Sequence, residues 1–127
     1  MRPSAECAVL IVEDQDDLRN LLAYLLTAEG YEVLVAGSGE AALELLKGRT
    51  GGIDVVITDL GLPGLGGIDL IPLAKAFCPS LRVVAISAYD NPRMRKAVEA
   101  AGAHAFMVKP FNELDMLNVV KAFMEEQ

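Results

Sequence analysis

The chain has 127 residues, room for one compact domain and little more. Hydrophobic residues make up 53% of it, enough for a core, and a formal net charge of -7 sets its surface against a phosphate backbone, which argues against binding DNA or RNA. Cys7 and Cys78 have no metal-ligand spacing and read as reduced thiols of a cytoplasmic protein; residues 1 to 6 lack a signal-peptide core, and no apolar run approaches the ~20 residues of a membrane span.

Short apolar runs alternate with amphipathic stretches five times along the chain. The first run is Ala8 to Val12, and Glu13 and Asp14 follow it. Leu18, Leu21, Leu22, Leu25 and Leu26 then form a helical stripe, with Asp16 and Asp17 suited to the start of that helix. The second run is Tyr31 to Ala36. A cap at Ser38 leads into a weaker stripe of Ala42, Leu45 and Leu46. The third run, Val55 to Thr58, ends on Asp59, and a turn-forming stretch from Gly61 to Gly67 comes next. Leu70, Leu73, Ala74 and Phe77 predict a third helix, although Pro72 inside it removes one hydrogen bond. The fourth run, Arg82 to Ile86, is followed by Ser87, then by Pro92 at a helix start and a stripe of Met94, Ala97, Val98 and Ala101. The fifth run, Ala105 to Val108, is followed by Lys109-Pro110. Asn112 caps a last helix carrying Met116, Val119, Val120 and Phe123. Gly30, Gly48 and Gly102 fall where helix C-caps are expected.

Continuous β-branched runs suit strands buried on both faces, and strand-then-helix repeated five times predicts an α/β protein with a parallel sheet between two helical layers. The expected organisation is a tail over residues 1 to 7 and one domain over 8 to 127. In such a sheet all strand C-termini share one edge, where open α/β folds place their chemistry. That edge would gather Glu13, Asp14, Asp59, Ser87 and Lys109. Three close carboxylates repel unless a cation intervenes. An all-oxygen set without histidine or thiolate favours a hard divalent ion, Mg²⁺ first. With Lys109 as a fixed charge and Ser87 as a donor, the set suits a phosphoryl group on Asp59, since a carboxylate can itself be the nucleophile.

Each residue also has a plainer reading. The acidic cluster can be a solvated turn, Asp59 a turn former, Ser87 a loop cap, Lys109 a surface lysine. Asp54 precedes its strand, at the opposite edge, and reads as structural. His104 reads as a surface loop residue. The glycine-rich stretch 61 to 67 lacks the Lys-Ser/Thr ending of a phosphate loop.

The motifs Val12-Glu13-Asp14, Thr58-Asp59, Leu62-Pro63 with Gly66-Gly67, Ile86-Ser87-Ala88 and Lys109-Pro110-Phe111 stand in receiver order. Over roughly residues 8 to 125 the chain resembles a receiver domain of two-component response regulators. The resemblance implies a CheY-like, flavodoxin-like (βα)5 fold with strand order 2-1-3-4-5. It implies that Asp59 accepts a phosphoryl group from a phosphohistidine on a sensor histidine kinase or phosphotransfer protein. Asp14 and Asp59 would hold Mg²⁺, joined by Glu13, directly or through water, and by the Gly61 backbone carbonyl. Ser87 and Lys109 would contact the phosphoryl group. Phe106 matches the switch aromatic, so that a surface on the fourth helix, fifth strand and fifth helix would change for a downstream protein target or attached output domain. Gly61 has no side chain to orient an attacking water, which leaves Tyr89 as the residue placed to shield the phosphate. The dimer-forming charges of many DNA-binding regulators are mostly missing, so that dimer is not expected. Two rivals are a non-phosphorylated interaction module on the same fold and an FMN-binding protein, the latter disfavoured by the acidic loop from Glu13 to Asp17.

Overall fold

A computed structural model describes residues 6–49 and 52–126. In chain order the elements are β1 (Ala8–Val12), α1 (Asp16–Ala28), β2 (Glu32–Ala36), α2 (Gly39–Gly48), β3 (Val55–Asp59), α3 (Gly67–Phe77), β4 (Arg82–Ser87), α4 (Pro92–Ala101), β5 (Ala105–Val108) and α5 (Glu113–Glu125). The strands form one parallel sheet in the order β2-β1-β3-β4-β5. β3 and β4 each run one residue past their apolar runs, so Asp59 and Ser87 are the last strand residues and take their direction from the ladder.

The alternation of side chains along a strand divides the core into two layers. Leu10, Val12, Val56, Val83 and Ala85 face α2, α3 and α4, where they meet Leu46, Leu70, Ile71 and Val98. Val9, Ile11, Val55, Ile57 and Ile86 face α1 and α5, where they meet Leu22, Leu26, Met116 and Val120. This is why the central strands read as unbroken apolar runs, while the edge strands β2 and β5 are half-buried. Cys7, at the inner end of the expected tail, is buried against the second layer; residues 1 to 5 of that tail lie outside the described residues. Among the described residues no helix is long and apolar enough to cross a membrane.

The expected caps form. Ser38 Oγ accepts from the Ala41 N–H at 3.1 Å, and Asn112 Oδ1 accepts from the Leu114 N–H at 2.8 Å. Asn91 caps α4 ahead of Pro92, accepting from the Met94 N–H at 2.8 Å. Each such cap contributes about 1 kcal/mol. Gly102 ends α4 at φ 115°, a backbone conformation that costs glycine nothing. Gly48 is no cap: it is the last residue of α2, and Arg49 occupies the cap position.

Three helical stripes also differ from expectation: in α1, Leu22 and Leu26 are buried but Leu21 is 40% exposed. Pro72 sits inside an uninterrupted α3, on its exposed face. The helix buries Leu70, Ile71 and Ala74, leaving Leu73 43% exposed. Apolar residues at 68, 70, 71 and 73 fit more than one helical face, and contact with the sheet chooses among them. In α4, Val98 is buried and Ala97 faces out.

Candidate functional site

The C-terminal edge of the sheet collects the expected residues. Glu13 follows β1 and is 0% exposed, whereas its neighbour Asp14 is exposed. Carboxylate oxygens of Glu13, Asp14 and Asp59 lie within 4.8 Å of one another. Asp59 is 6% exposed and well held: its Oδ1 accepts from the Gly61 N–H at 2.9 Å, and its Oδ2 accepts from Lys109 Nζ at 3.0 Å. Gly67 secures the chain below it. A Cβ there would stand 2.6 Å from the Asp59 carbonyl oxygen, so only glycine lets α3 start this close to the end of β3.

Lys109, just past β5, is the counter-charge. Its Nζ lies 3.0 Å from Glu13 Oε1 and 3.0 Å from Asp59 Oδ2, and donates to Gln15 Oε1 at 3.3 Å. Burial works against its charge, yet the two carboxylates outweigh that and hold Lys109 above the ordinary lysine range. Burial pushes the Glu13 carboxyl up, more than the Gln15 N–H and Lys109 pull it down, and the Asp59 charge adds to the rise. Glu13 Oε2 accepts from the Gln15 N–H at 3.0 Å. Oε1 is buried and, among the described residues, has an ion pair with Lys109 but no aligned hydrogen bond.

The donor set tests whether a cation fits. Three carboxylates cluster around one ammonium group, every candidate donor is oxygen, and the buried Glu13 Oε1 has only its ion pair with Lys109 among the described residues. A hard divalent ion suits such a set.

Ser87, at the end of β4, is 3% exposed. Its Oγ accepts from the Tyr89 N–H at 3.0 Å and lies 3.3 Å from Met94 Sδ, to which it donates. These residues border an open cleft of about 420 Å³ that Asp14, Asp59, Gly61, Ser87, Tyr89 and Lys109 line. Gly61 is exposed; a Cβ there would meet Asp59 Oδ1 at an ordinary 3.6 Å. Tyr89 is 71% exposed at the mouth. Phe106 lies outside the cleft. It is half-buried on β5, paired in register with Ala85, and the Arg95 guanidinium sits 4.6 Å above its ring.

Two residues at the site carry no sequence signal. Gln15 tethers Lys109 across 94 residues, and Met94 reaches Ser87 from the first turn of α4. Both contacts depend on how elements meet, so neither spacing nor residue type announces them. The residues read as structural sit at the opposite edge: Asp54 Oδ2 accepts from the Ala8 N–H at 2.8 Å. His104 is exposed, as a surface residue should be, but it also joins two strands. Its Nδ1 accepts from the Val83 N–H at 3.0 Å, and its own N–H donates to the Val83 carbonyl at 2.8 Å.

Comparison with known proteins identifies the family and the fold. The profile of the response regulator receiver domain matches residues 9–121. A cyclic di-GMP phosphodiesterase of Thermotoga maritima is 39% identical over 90% of this chain, which spans 30% of that protein. Sporulation initiation phosphotransferase F of Bacillus subtilis is 32% identical, with 91% of this chain and 92% of the relative covered. Among solved structures, the CheX–CheY–BeF3–Mg²⁺ complex from Borrelia burgdorferi matches with a TM-score of 0.86 and 30% identity, covering 93% of this chain and 89% of that one. The chain spans between 13% and 50% of the length of several curated relatives, so the same unit recurs inside longer proteins.

Proposed function

Because the chain belongs to the response regulator receiver domain family of two-component signalling, we propose that Asp59 is its phosphoacceptor, taking a phosphoryl group from a phosphohistidine of a sensor histidine kinase or phosphotransfer protein. The observation that carries this reading is the placement of Asp59 at the end of β3, its Oδ2 3.0 Å from Lys109 Nζ and its carboxylate within 4.8 Å of the Glu13 and Asp14 oxygens. An Asp59 oxygen attacks phosphorus as the P–N bond breaks, and the departing imidazole keeps the bonding pair.

The chain's own residues do the positioning. The Gly61 N–H fixes the Asp59 carboxylate, so the nucleophile does not have to be ordered during the reaction. Lys109, held charged by its two carboxylate neighbours, stands where a phosphoryl oxygen on Asp59 gains negative charge. Ser87 lines the same cleft, and its hydroxyl, which donates to Met94 Sδ in the structure, would turn to a second phosphoryl oxygen. Glu13, Asp14, Asp59 and the Gly61 carbonyl would hold Mg²⁺, which when bound offsets carboxylate and phosphoryl charge. The added charge of about -1.5 to -2 then draws Ser87 toward it and reweights two existing arrangements of α4, β5 and α5, including Phe106. That surface is the one offered to a downstream protein or attached output domain. The relative solved with BeF3 and Mg²⁺ supports this reading at the level of the family.

Incubation with a small acyl-phosphate donor and Mg²⁺ should add one phosphate by intact mass, and Asp59→Asn should abolish it. Undiminished labelling of that variant would sink the assignment.

A further inference from the structure

Ser87 has one hydroxyl proton, and in the structure that proton is already engaged. The Oγ accepts from the Tyr89 N–H at 3.0 Å, which leaves the O–H directed at Met94 Sδ, 3.3 Å away. A phosphoryl oxygen can recruit this donor only by taking it from the thioether, because a serine hydroxyl donates once. Thioether sulfur is a weak acceptor, so the contact holds Ser87 without trapping it.

The placement of Met94 gives the exchange a mechanical consequence. It is the third residue of α4, its own N–H bound to the Asn91 cap at 2.8 Å. Its side chain is half-buried, lines the phosphorylation cleft, and packs against the same core layer as Phe106. Ser87 pairs in register with Val108, whereas Phe106 pairs with Ala85. Met94 therefore joins the Ser87 hydroxyl to the first turn of α4 directly, by a contact the backbone ladder does not provide.

We propose that Met94 is a positioning residue for the phosphoryl response: its sulfur holds the Ser87 hydroxyl in the resting state, sets how readily Ser87 engages the phosphoryl group, and ties that engagement to the first turn of α4. This rests on the reading of Ser87 as a phosphoryl ligand. Met94→Leu keeps the apolar volume and removes the acceptor, so it should favour the engaged state. Because thioether sulfur is a weak acceptor, the lower part of the usual net worth of a hydrogen bond applies, about two- to fivefold.

The test is calorimetric titration of the full chain with beryllium trifluoride, a phosphoryl stand-in, at saturating Mg²⁺, in four proteins forming a cycle. Met94→Leu should bind about two- to fivefold more tightly than the parent chain. In the Ser87→Ala background the same substitution should change nothing, because no hydroxyl remains to release. An equal change in both backgrounds would reveal a packing effect, and no change in either would leave Met94 without a role; each result overturns the proposal. If Ser87→Ala alone binds as the parent does, the underlying reading of Ser87 fails, a result separable from the other two.

Discussion

The two edges of the sheet use similar side chains to opposite ends. At the edge where the strands begin, acids and bases meet in separate pairs that tie strands to each other or to helix ends, although Arg82 Nε is buried there without a hydrogen-bond partner among the described residues. Asp54 holds the Ala8 N–H, His104 holds the Val83 N–H, Glu32 receives both terminal nitrogens of Arg49 at 2.7 and 2.9 Å, and Arg82 meets Glu126 at 3.1 Å. At the edge where the strands end, Glu13, Asp14 and Asp59 crowd around a single lysine, and a buried Glu13 oxygen lacks an aligned donor. The lesson is that residue type does not separate structural from functional acids here. Charge balance does: the proposed acceptor edge gathers three carboxylates around one lysine, whereas the acids of the opposite edge stand apart in separate pairs.

The sharpest way to break this contrast is to exchange the fates of two aspartates. Asp59→Ala should lose phosphate uptake completely while the fold is retained, because a like charge leaves the cluster. Asp54→Ala should keep uptake and cost about 1–2 kcal/mol of stability in denaturant unfolding, the worth of its bond to Ala8. Uptake lost in both variants would erase the distinction between the edges.

Next in size is Lys109→Ala, which strands two carboxylates and should destabilise the chain by about 3 kcal/mol without divalent ions. A loss below a few tenths would show that Lys109 contributes little to the resting structure.

Divalent ions themselves give a third comparison. Mg²⁺ at about 100 times its dissociation constant should stabilise the parent chain by about 2.7 kcal/mol. Asp14→Asn should start more stable than the parent without Mg²⁺ and lose most of that gain. Equal Mg²⁺ responses in thermal melts would remove Asp14 from the ligand set.

The smallest effect lies at the opposite edge. Burial lowers the His104 pKa, helped by Lys75 and Arg82 and opposed by Glu126. The unfolded chain therefore takes up the proton more readily than the folded one. Stability linked to His104 is fully present above its unfolded value of about 6.5 and is lost as pH falls below it. Protonation also removes the acceptor for Val83. Unfolding midpoints at pH 7.5 and 5.5 should differ less in His104→Asn than in the parent; an unchanged difference would contradict the assignment.

Much of the fold is legible in the residues because the pattern is strong where burial is complete. β1, β3 and β4 are buried on both faces and read as unbroken apolar runs. The strand order is not in that pattern; it entered through the resemblance. Helix faces are less legible where apolar residues crowd, as with Ile71 replacing Leu73 in the α3 core. At the site, position along the sheet brings Glu13, Asp14, Asp59, Ser87 and Lys109 to one edge, because each follows or ends a strand. Gln15, Met94 and the strand-tying role of His104 depend on side-chain directions between elements distant in sequence, which no local pattern encodes.

The central claim is that the crowded edge is a covalent acceptor site centred on Asp59. Borohydride reduction of the phosphorylated chain converts an aspartyl phosphate to homoserine, and peptide mass mapping locates the change. The account predicts conversion at Asp59 alone, dependent on both donor and Mg²⁺. Conversion at Asp14 or Asp54, or stable phosphate on Ser87 with Asp59 unmodified, would contradict it.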